Sequence, residues 1–336
     1  MTLEEWGLRD EKDAVPEGER ARVLGVHGRN VLLVTESGER AAELGARMRK
    51  GAGADVAVGD FVVVCEGRVM ARLPRRTFLG RGEGLRREIL AANVDVLFIV
   101  SGLDGELNVR RLERYLLLAL DGGVRPVFVL NKSDAVPDPA DALAQVAAVA
   151  AGGEIVLGSA RSGAGVDRLQ AILAPGVTGA LVGSSGVGKS TLLNRLLGAQ
   201  AQEVGAVRDK DGKGRHTTSA RHLFLLPSGG LLIDTPGLRE VPLGVGNDAL
   251  SEGFPEIALR ALLCRFRDCR HESEPGCAVR GATLSGEVDP ARLRSFEKLR
   301  REIVRETEDA PSLLRRKAWV KSVHKGMRAR RRAEDD

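Results

Sequence analysis

The chain has 336 residues, 43% of them hydrophobic, enough to bury a sizeable core and to build two or three domains. Lys and Arg total 51 against 46 Asp and Glu, and a net charge of +5 is too small to imply nucleic acid by itself. The acidic opening MTLEEWGLRDEKD and the lack of any run near the ~18 apolar residues of a membrane span argue against a secretory leader or an anchor, so a cytoplasmic protein is expected.

Residues from about 20 to 73 read as short strands. Ala21–His27 and Asn30–Thr35 flank a turn containing Gly28, and Val62–Val64 follows Gly59-Asp60. Turn residues recur at short intervals and little is helical, which predicts a small β-barrel. The texture then changes. Val94–Val100, Pro126–Leu130, Glu154–Leu157 and Gly179–Val182 are apolar runs ending in polar or glycine-rich loops. Helical patterns at Leu112–Leu120 and Ala142–Ala151 lie between some of them, so an α/β unit with a mostly parallel sheet is expected. Beyond about residue 245 the pattern is helical, with Asp289-Pro290 as N-cap and first turn and Leu293, Phe296, Leu299 and Ile303 as one apolar stripe. The expected division is 1–80, 81–245 and 246–336.

Gly183-Ser184-Ser185-Gly186-Val187-Gly188-Lys189-Ser190 matches the phosphate-binding pattern G-x-x-x-x-G-K-[ST], between an apolar strand and a helix that starts by Thr191. Its backbone N–H groups and the helix N-terminus suit phosphate, Lys189 suits the β- and γ-phosphates, and the Ser190 hydroxyl suits Mg²⁺. Guanine is indicated separately. Asn131-Lys132-Ser133-Asp134 follows a strand, and the Asp134 carboxylate can accept from guanine N1–H and the exocyclic amine, a donor pair adenine lacks. Asn131 would brace that loop, Lys132 would lie against the base, and Ser159-Ala160 would offer a backbone N–H to the guanine oxygen. Asp234-Thr-Pro-Gly237 supplies a carboxylate for Mg²⁺ and an N–H for the γ-phosphate. Between the last two motifs, Gly212–Ser219 is placed as a switch loop, with Thr218 as the Mg²⁺-sensing hydroxyl and Thr217 as its alternative.

Ordinary GTPases carry the phosphate motifs before the base motifs, and this chain reverses them. A sheet whose termini lie close together can be permuted and keep the same site. Further on, Cys264, Cys269, His271 and Cys277 offer three thiolates and one imidazole, the closed tetrahedral set of structural Zn²⁺. The end of the chain is basic, from Arg315 to Arg332 around Trp319, which suits RNA phosphates or a solvated tail. Arg47, Arg49, Lys50, Arg75, Arg76 and Arg81 are a candidate second basic footprint on the barrel. A protein-directed signalling switch leaves barrel, cysteines and tail unexplained, and a small-molecule kinase conflicts with the Asn131/Asp134 and Asp234/Gly237 motifs.

These motifs together resemble the circularly permuted, small-subunit-dependent GTPases of the RsgA/YjeQ family, over nearly the whole length. The resemblance implies an OB-type barrel, a zinc knuckle on the four residues above, and GTP hydrolysis stimulated by the 30S subunit during its late maturation. It implies 16S rRNA as a partner and a monomeric protein. After Gly237 stands Leu238, where many GTPases carry a water-orienting glutamine. Catalytic help must come from elsewhere, and His216 is the candidate, as a chemical group or as a docking one. With Lys189 and Thr218 it completes the expected catalytic set.

Overall fold

The computed structural model describes residues 2–9, 17–49, 56–82, 87–105, 107–198, 221–234 and 245–305. The first strands are β1 (Glu19–His27), β2 (Asn30–Thr35), β3 (Gly38–Leu44), β4 (Phe61–Cys65) and β5 (Arg68–Arg72). They pair in the order β1-β2-β3-β5-β4, and β4 returns to β1, which closes a five-stranded barrel of the OB type. Only β3 and β5 run parallel. Ala21, Val23, Leu33, Val62, Val64 and Val69 fill its interior, from strands whose alternation the sequence displays. A hairpin of β6 (Phe78–Arg81) and β7 (Glu88–Ala92) leads out of the barrel.

The second unit is built on β8 (Val96–Gly102), β9 (Arg125–Asn131), β10 (Glu154–Leu157), β11 (Thr178–Val182), β12 (His222–Leu225) and β13 (Leu231–Asp234). Their spatial order is β10-β9-β8-β11-β13-β12, parallel except for the β12–β13 pair. The strand before the asparagine motif and the strand before the phosphate loop thus flank β8, although their order in the chain is reversed relative to an ordinary GTPase. Helices α1 (Val109–Asp121), α2 (Ala140–Ala147), α3 (Val166–Ile172) and α4 (Lys189–Leu197) connect the strands. β8 is buried along its whole length, as a parallel strand covered on both faces must be. α2 is displaced from the expected 142–151 span. It starts behind Pro139, and Ala151 (φ 47°) and Gly152 (φ 82°) already turn the chain toward β10.

A third group of helices follows: α5 (Asn247–Gly253), α6 (Pro255–Ala261), α7 (Ala278–Leu284) and α8 (residues 290–305). Asp289 Oδ1 accepts from the Ala291 N–H at 2.7 Å, and Leu293, Phe296, Leu299 and Ile303 are buried together with Phe254, Ile257 and Val279. Leu117 of α1 joins the same cluster, so these helices pack directly on the α/β unit.

Arg22 fastens the barrel to that unit. Fully buried in β1, its guanidinium donates to the carbonyls of Trp6 and Asn93 and to Thr178 Oγ1 of β11 at 2.9 Å. Burial pushes it down to about 9, still charged at neutral pH, so it depends on these acceptors. Among the described residues no helix is long and apolar enough to cross a membrane.

Candidate functional site

Strand register sets the site. Gly102 of β8 stands opposite Asn131 of β9, Val182 of β11 opposite Ile99 of β8, and Ala180 of β11 opposite Ile233, one residue before Asp234. The motifs at 131–134, 159–160 and 183–190 and Asp234 therefore leave the sheet at one edge, the carboxyl ends of parallel strands, where open α/β sheets bind ligands.

After β11 the chain turns through Gly183, Gly186 and Gly188, all with positive φ, and enters α4 at Lys189. A Cβ on Gly183 would stand 2.2 Å from the Val100 carbonyl oxygen, so glycine is required where the loop leaves the sheet. Lys189 Nζ donates to the Gly183 carbonyl at 2.8 Å and also to that of Ser184, holding its ammonium across the loop. Ser190 and Thr191 lie exposed in the first turn of α4. The unsatisfied N–H groups of that first turn lie beside these hydroxyls.

The loops at 131–134 and 159–160 are tied to the glycine-rich loop at 183–190 through Asn131. Its amide donates to the Val187 carbonyl at 2.7 Å, and its Oδ1 accepts from the Ala160 N–H at 2.8 Å. Asn131, Ser159 and Ala160 are buried, whereas Asp134 is exposed. The Ser159 hydroxyl donates to Asp134 and holds its carboxyl below the usual carboxylate range. Lys132 adopts a left-handed conformation (φ 65°), and its ammonium pairs with Asp104 at 2.6 Å. The result is an acceptor held in its ionised form beside an ammonium fixed by an ion pair.

Two residues at this edge carry no sequence motif. Asp104 lies in the loop after β8 and Arg111 in the first turn of α1, where its guanidinium donates to Ser184 Oγ. β8 sits between β9 and β11, so the loop after it must border both motifs. That adjacency is a property of strand order, which local spacing does not display. His216, Thr217, Thr218, Gly237 and Leu238 lie outside the described residues, as do Lys50 and the basic tail.

The cysteine cluster stands apart, between α6 and α7. A tetrahedral zinc with Zn–S of about 2.3 Å and Zn–N of about 2.0–2.1 Å requires about 3.8 Å between sulfurs and about 3.6 Å between sulfur and nitrogen. Cys264 Sγ lies 3.9 Å from Cys277 Sγ, and His271 Nδ1 lies 3.6 and 3.4 Å from those two sulfurs. Together with Cys269, all four ligand atoms fall within 4.8 Å of one another. Burial pushes the Cys269 thiol up to about 12 and the His271 imidazole down. Three thiolates here need a cation, and a neutral imidazole nitrogen is ready to ligate one, so the donor set fits a metal ion.

Three residues of the expected basic footprint are engaged in ion pairs within the chain; Lys50 and the side chains of Arg47 and Arg49 lie outside the described residues. Arg75 forms a two-pronged pair with the buried Asp60 at 2.6 Å, Arg76 pairs with Asp95 at 3.3 Å, and Arg81 pairs with Glu88 at 2.6 Å. Arg75 in particular is a structural residue, because removing it would strand a buried carboxylate.

The family model for the RsgA GTPase matches residues 72–244. A small ribosomal subunit biogenesis GTPase RsgA of Opitutus terrae is 44% identical over 338 residues, covering 94% of this chain and 92% of that protein. Its namesake in Xylella fastidiosa strain M23 is 51% identical over 251 residues, 74% of this chain and 75% of the relative. Among solved structures, YjeQ from Thermotoga maritima superposes with a TM-score of 0.66 at 27% identity, covering 85% of this chain and 98% of that one. YloQ, described as a circularly permuted GTPase, shares the fold with a TM-score of 0.61 at 23% identity, covering 85% of this chain and 95% of that one.

Proposed function

The chain belongs to the RsgA GTPase family, and from that premise we propose that it hydrolyses GTP in the biogenesis of the small ribosomal subunit. The observation that carries the site assignment is the Asn131 brace, which joins the base-side and phosphate-side loops through two buried hydrogen bonds. GTP would lie across the carboxyl edge of the sheet, with Asp134 accepting from guanine, Lys132 along the base and the Ala160 N–H toward the guanine oxygen. Residues 183–191 would wrap the phosphates, with Lys189 on the β- and γ-groups and the Gly237 N–H facing the γ-group.

Ser190, Asp234 and Thr218 would hold Mg²⁺, which supplies charge neutralisation at the transferring phosphate when bound. The chain's own residues do the rest. The glycine turns exclude side chains from the phosphate path, Lys189 places a fixed cation, and His216 orients water or docks the switch. Cys264, Cys269, His271 and Cys277 would hold one structural zinc ion, with no open position for substrate.

The finer reading is a 30S-stimulated enzyme in three parts, 1–80, 81–245 and 246–336, that reaches 16S rRNA through its basic tail. Turnover of GTP against ATP, with and without purified small subunits, tests both levels at once. GTP-selective hydrolysis accelerated by the subunit is expected. Preference for ATP would overturn the base assignment, and indifference to the subunit would overturn the partner.

A further inference from the structure

Helix α1 is held at both sides. Glu113, 2% exposed, accepts from Arg292 Nη1 at 2.6 Å and from Ser295 Oγ, both on α8. Arg292 also donates to Glu256 at 2.7 Å and to the Gly253 carbonyl at 3.0 Å, with its guanidinium 4.0 Å above the Phe254 ring. The next residue, Arg114, pairs with Glu302; Leu117, one turn on, enters the helical core, and Asp121, about two turns on, accepts from the Gly246 N–H at 2.8 Å. At 100° per residue, Glu113, Arg114, Leu117 and Asp121 fall on one side of α1. Arg111 projects from a neighbouring side of the first turn, onto Ser184 of the phosphate loop.

A buried ion pair adds little stability over an apolar replacement of the same volume, but it fixes one arrangement when every donor and acceptor is used. Here it ties α1 to the C-terminal helices through Arg292 and Ser295. We propose that Arg111 is a positioning residue for the phosphate loop, and that the Glu113–Arg292–Ser295 cluster makes its grip depend on the C-terminal helical unit. Whatever that unit binds would then be felt at the phosphates through α1, separately from the segment after Asp234. The inference rests on the reading that residues 183–191 hold GTP.

The test uses the full-length protein and fluorescent GTP and GDP analogues, with nucleotide dissociation followed by stopped flow. Arg111→Ala should speed dissociation roughly three- to tenfold, the scale of one hydrogen bond at an exposed, solvent-screened site, and Arg111→Lys should recover part of it. Glu113→Gln and, independently, Ser295→Ala should speed dissociation in the same direction while the protein keeps its metal content and a cooperative melt, at a lowered midpoint in Glu113→Gln because Arg292 loses a buried charged partner. The double variant Arg111→Ala/Glu113→Gln should release nucleotide no faster than Arg111→Ala alone, because both changes cut one connection. Unchanged dissociation in Arg111→Ala, or effects that multiply in the double variant, would overturn the proposal. Failure of the wild-type protein to bind the analogues would instead overturn the reading of the site.

Discussion

Gly188 and Asn131 lie so close that a Cβ on Gly188 would stand 2.2 Å from the Asn131 amide nitrogen. The two residues belong to different motifs, separated in the chain by strands, loops and helices on both sides of the sheet. Their contact is the physical content of the permutation. The chain reaches base-side and phosphate-side loops in reversed order, yet the register of β9, β8 and β11 brings them together.

Asn131→Ala should therefore weaken both halves of the site together. The Val187 carbonyl and the Ala160 N–H would each lose a partner, at about 1–3 kcal/mol per orphaned buried group. GTP affinity should fall at least about tenfold, since about 1.4 kcal/mol is one decade. Titration with a fluorescent GTP analogue measures this, and wild-type affinity in the variant would show that the brace is dispensable.

Base selection should rest on Asp134 and be tuned by Ser159. Asp134→Asn should weaken GTP and admit xanthosine nucleotides, whose 2-oxo group suits an amide donor. The hydrogen bond from Ser159 depresses the carboxyl, so the stabilisation it gives is fully present above the ordinary value of 3.8 and is lost as pH falls through the lower folded value. The Asp134 contribution to guanine recognition, read as selectivity for GTP over ATP, should consequently stay level down through pH values of about 5, and Ser159→Ala should move its acid limb upward. An acid limb unaffected by Ser159→Ala would separate the serine from the aspartate.

The sequence displays those parts of the molecule that repeat locally. The valine-rich strands, the Gly183–Ser190 loop and the Leu293–Ile303 stripe follow from period and motif. What it does not display depends on which strands become neighbours. Arg22 reads as one charge on a barrel strand, but closure of the barrel against β11 buries it on Thr178. Nothing in the local pattern around Glu113 marks it for burial, yet it faces Arg292, 179 residues later. Arg75 shows the converse error, a basic residue whose partner Asp60 satisfies it inside the fold.

The metal should be structural. About one equivalent of zinc should co-purify, and Cys269→Ser should lose it together with cooperative unfolding of the C-terminal helices, because such binding is folding free energy. Cys264 and Cys269 pack against the Phe254–Phe296 core, so loosening the knuckle should reach the Glu113 latch. Metal analysis and a two-probe melt check this. A metal-free protein with an unchanged melt and full activity would sink the assignment.

The last expectation concerns activation, and it starts from Leu238. A leucine after Gly237 cannot hydrogen-bond the attacking water, so the protein by itself should turn over GTP slowly. Small subunits should accelerate it by completing the site, and the gain available from such completion in trans is about 10³–10⁵. If His216 positions the water, His216→Ala should lose most of the stimulated kcat while keeping GTP affinity and subunit binding, a loss confined to the transition state. If His216 docks the switch, the same change should raise the subunit concentration needed for half-stimulation, and saturating subunit should restore the rate. Replacing Arg330, Arg331 and Arg332 with alanine should flatten the salt dependence of subunit binding, because fewer phosphate counterions are released. The two roles separate in one experiment, stimulated turnover against subunit concentration at two salt concentrations. Fast hydrolysis by the isolated protein, indifferent to the subunit, would leave Leu238 without consequence and move the catalytic group into the chain's own resident site.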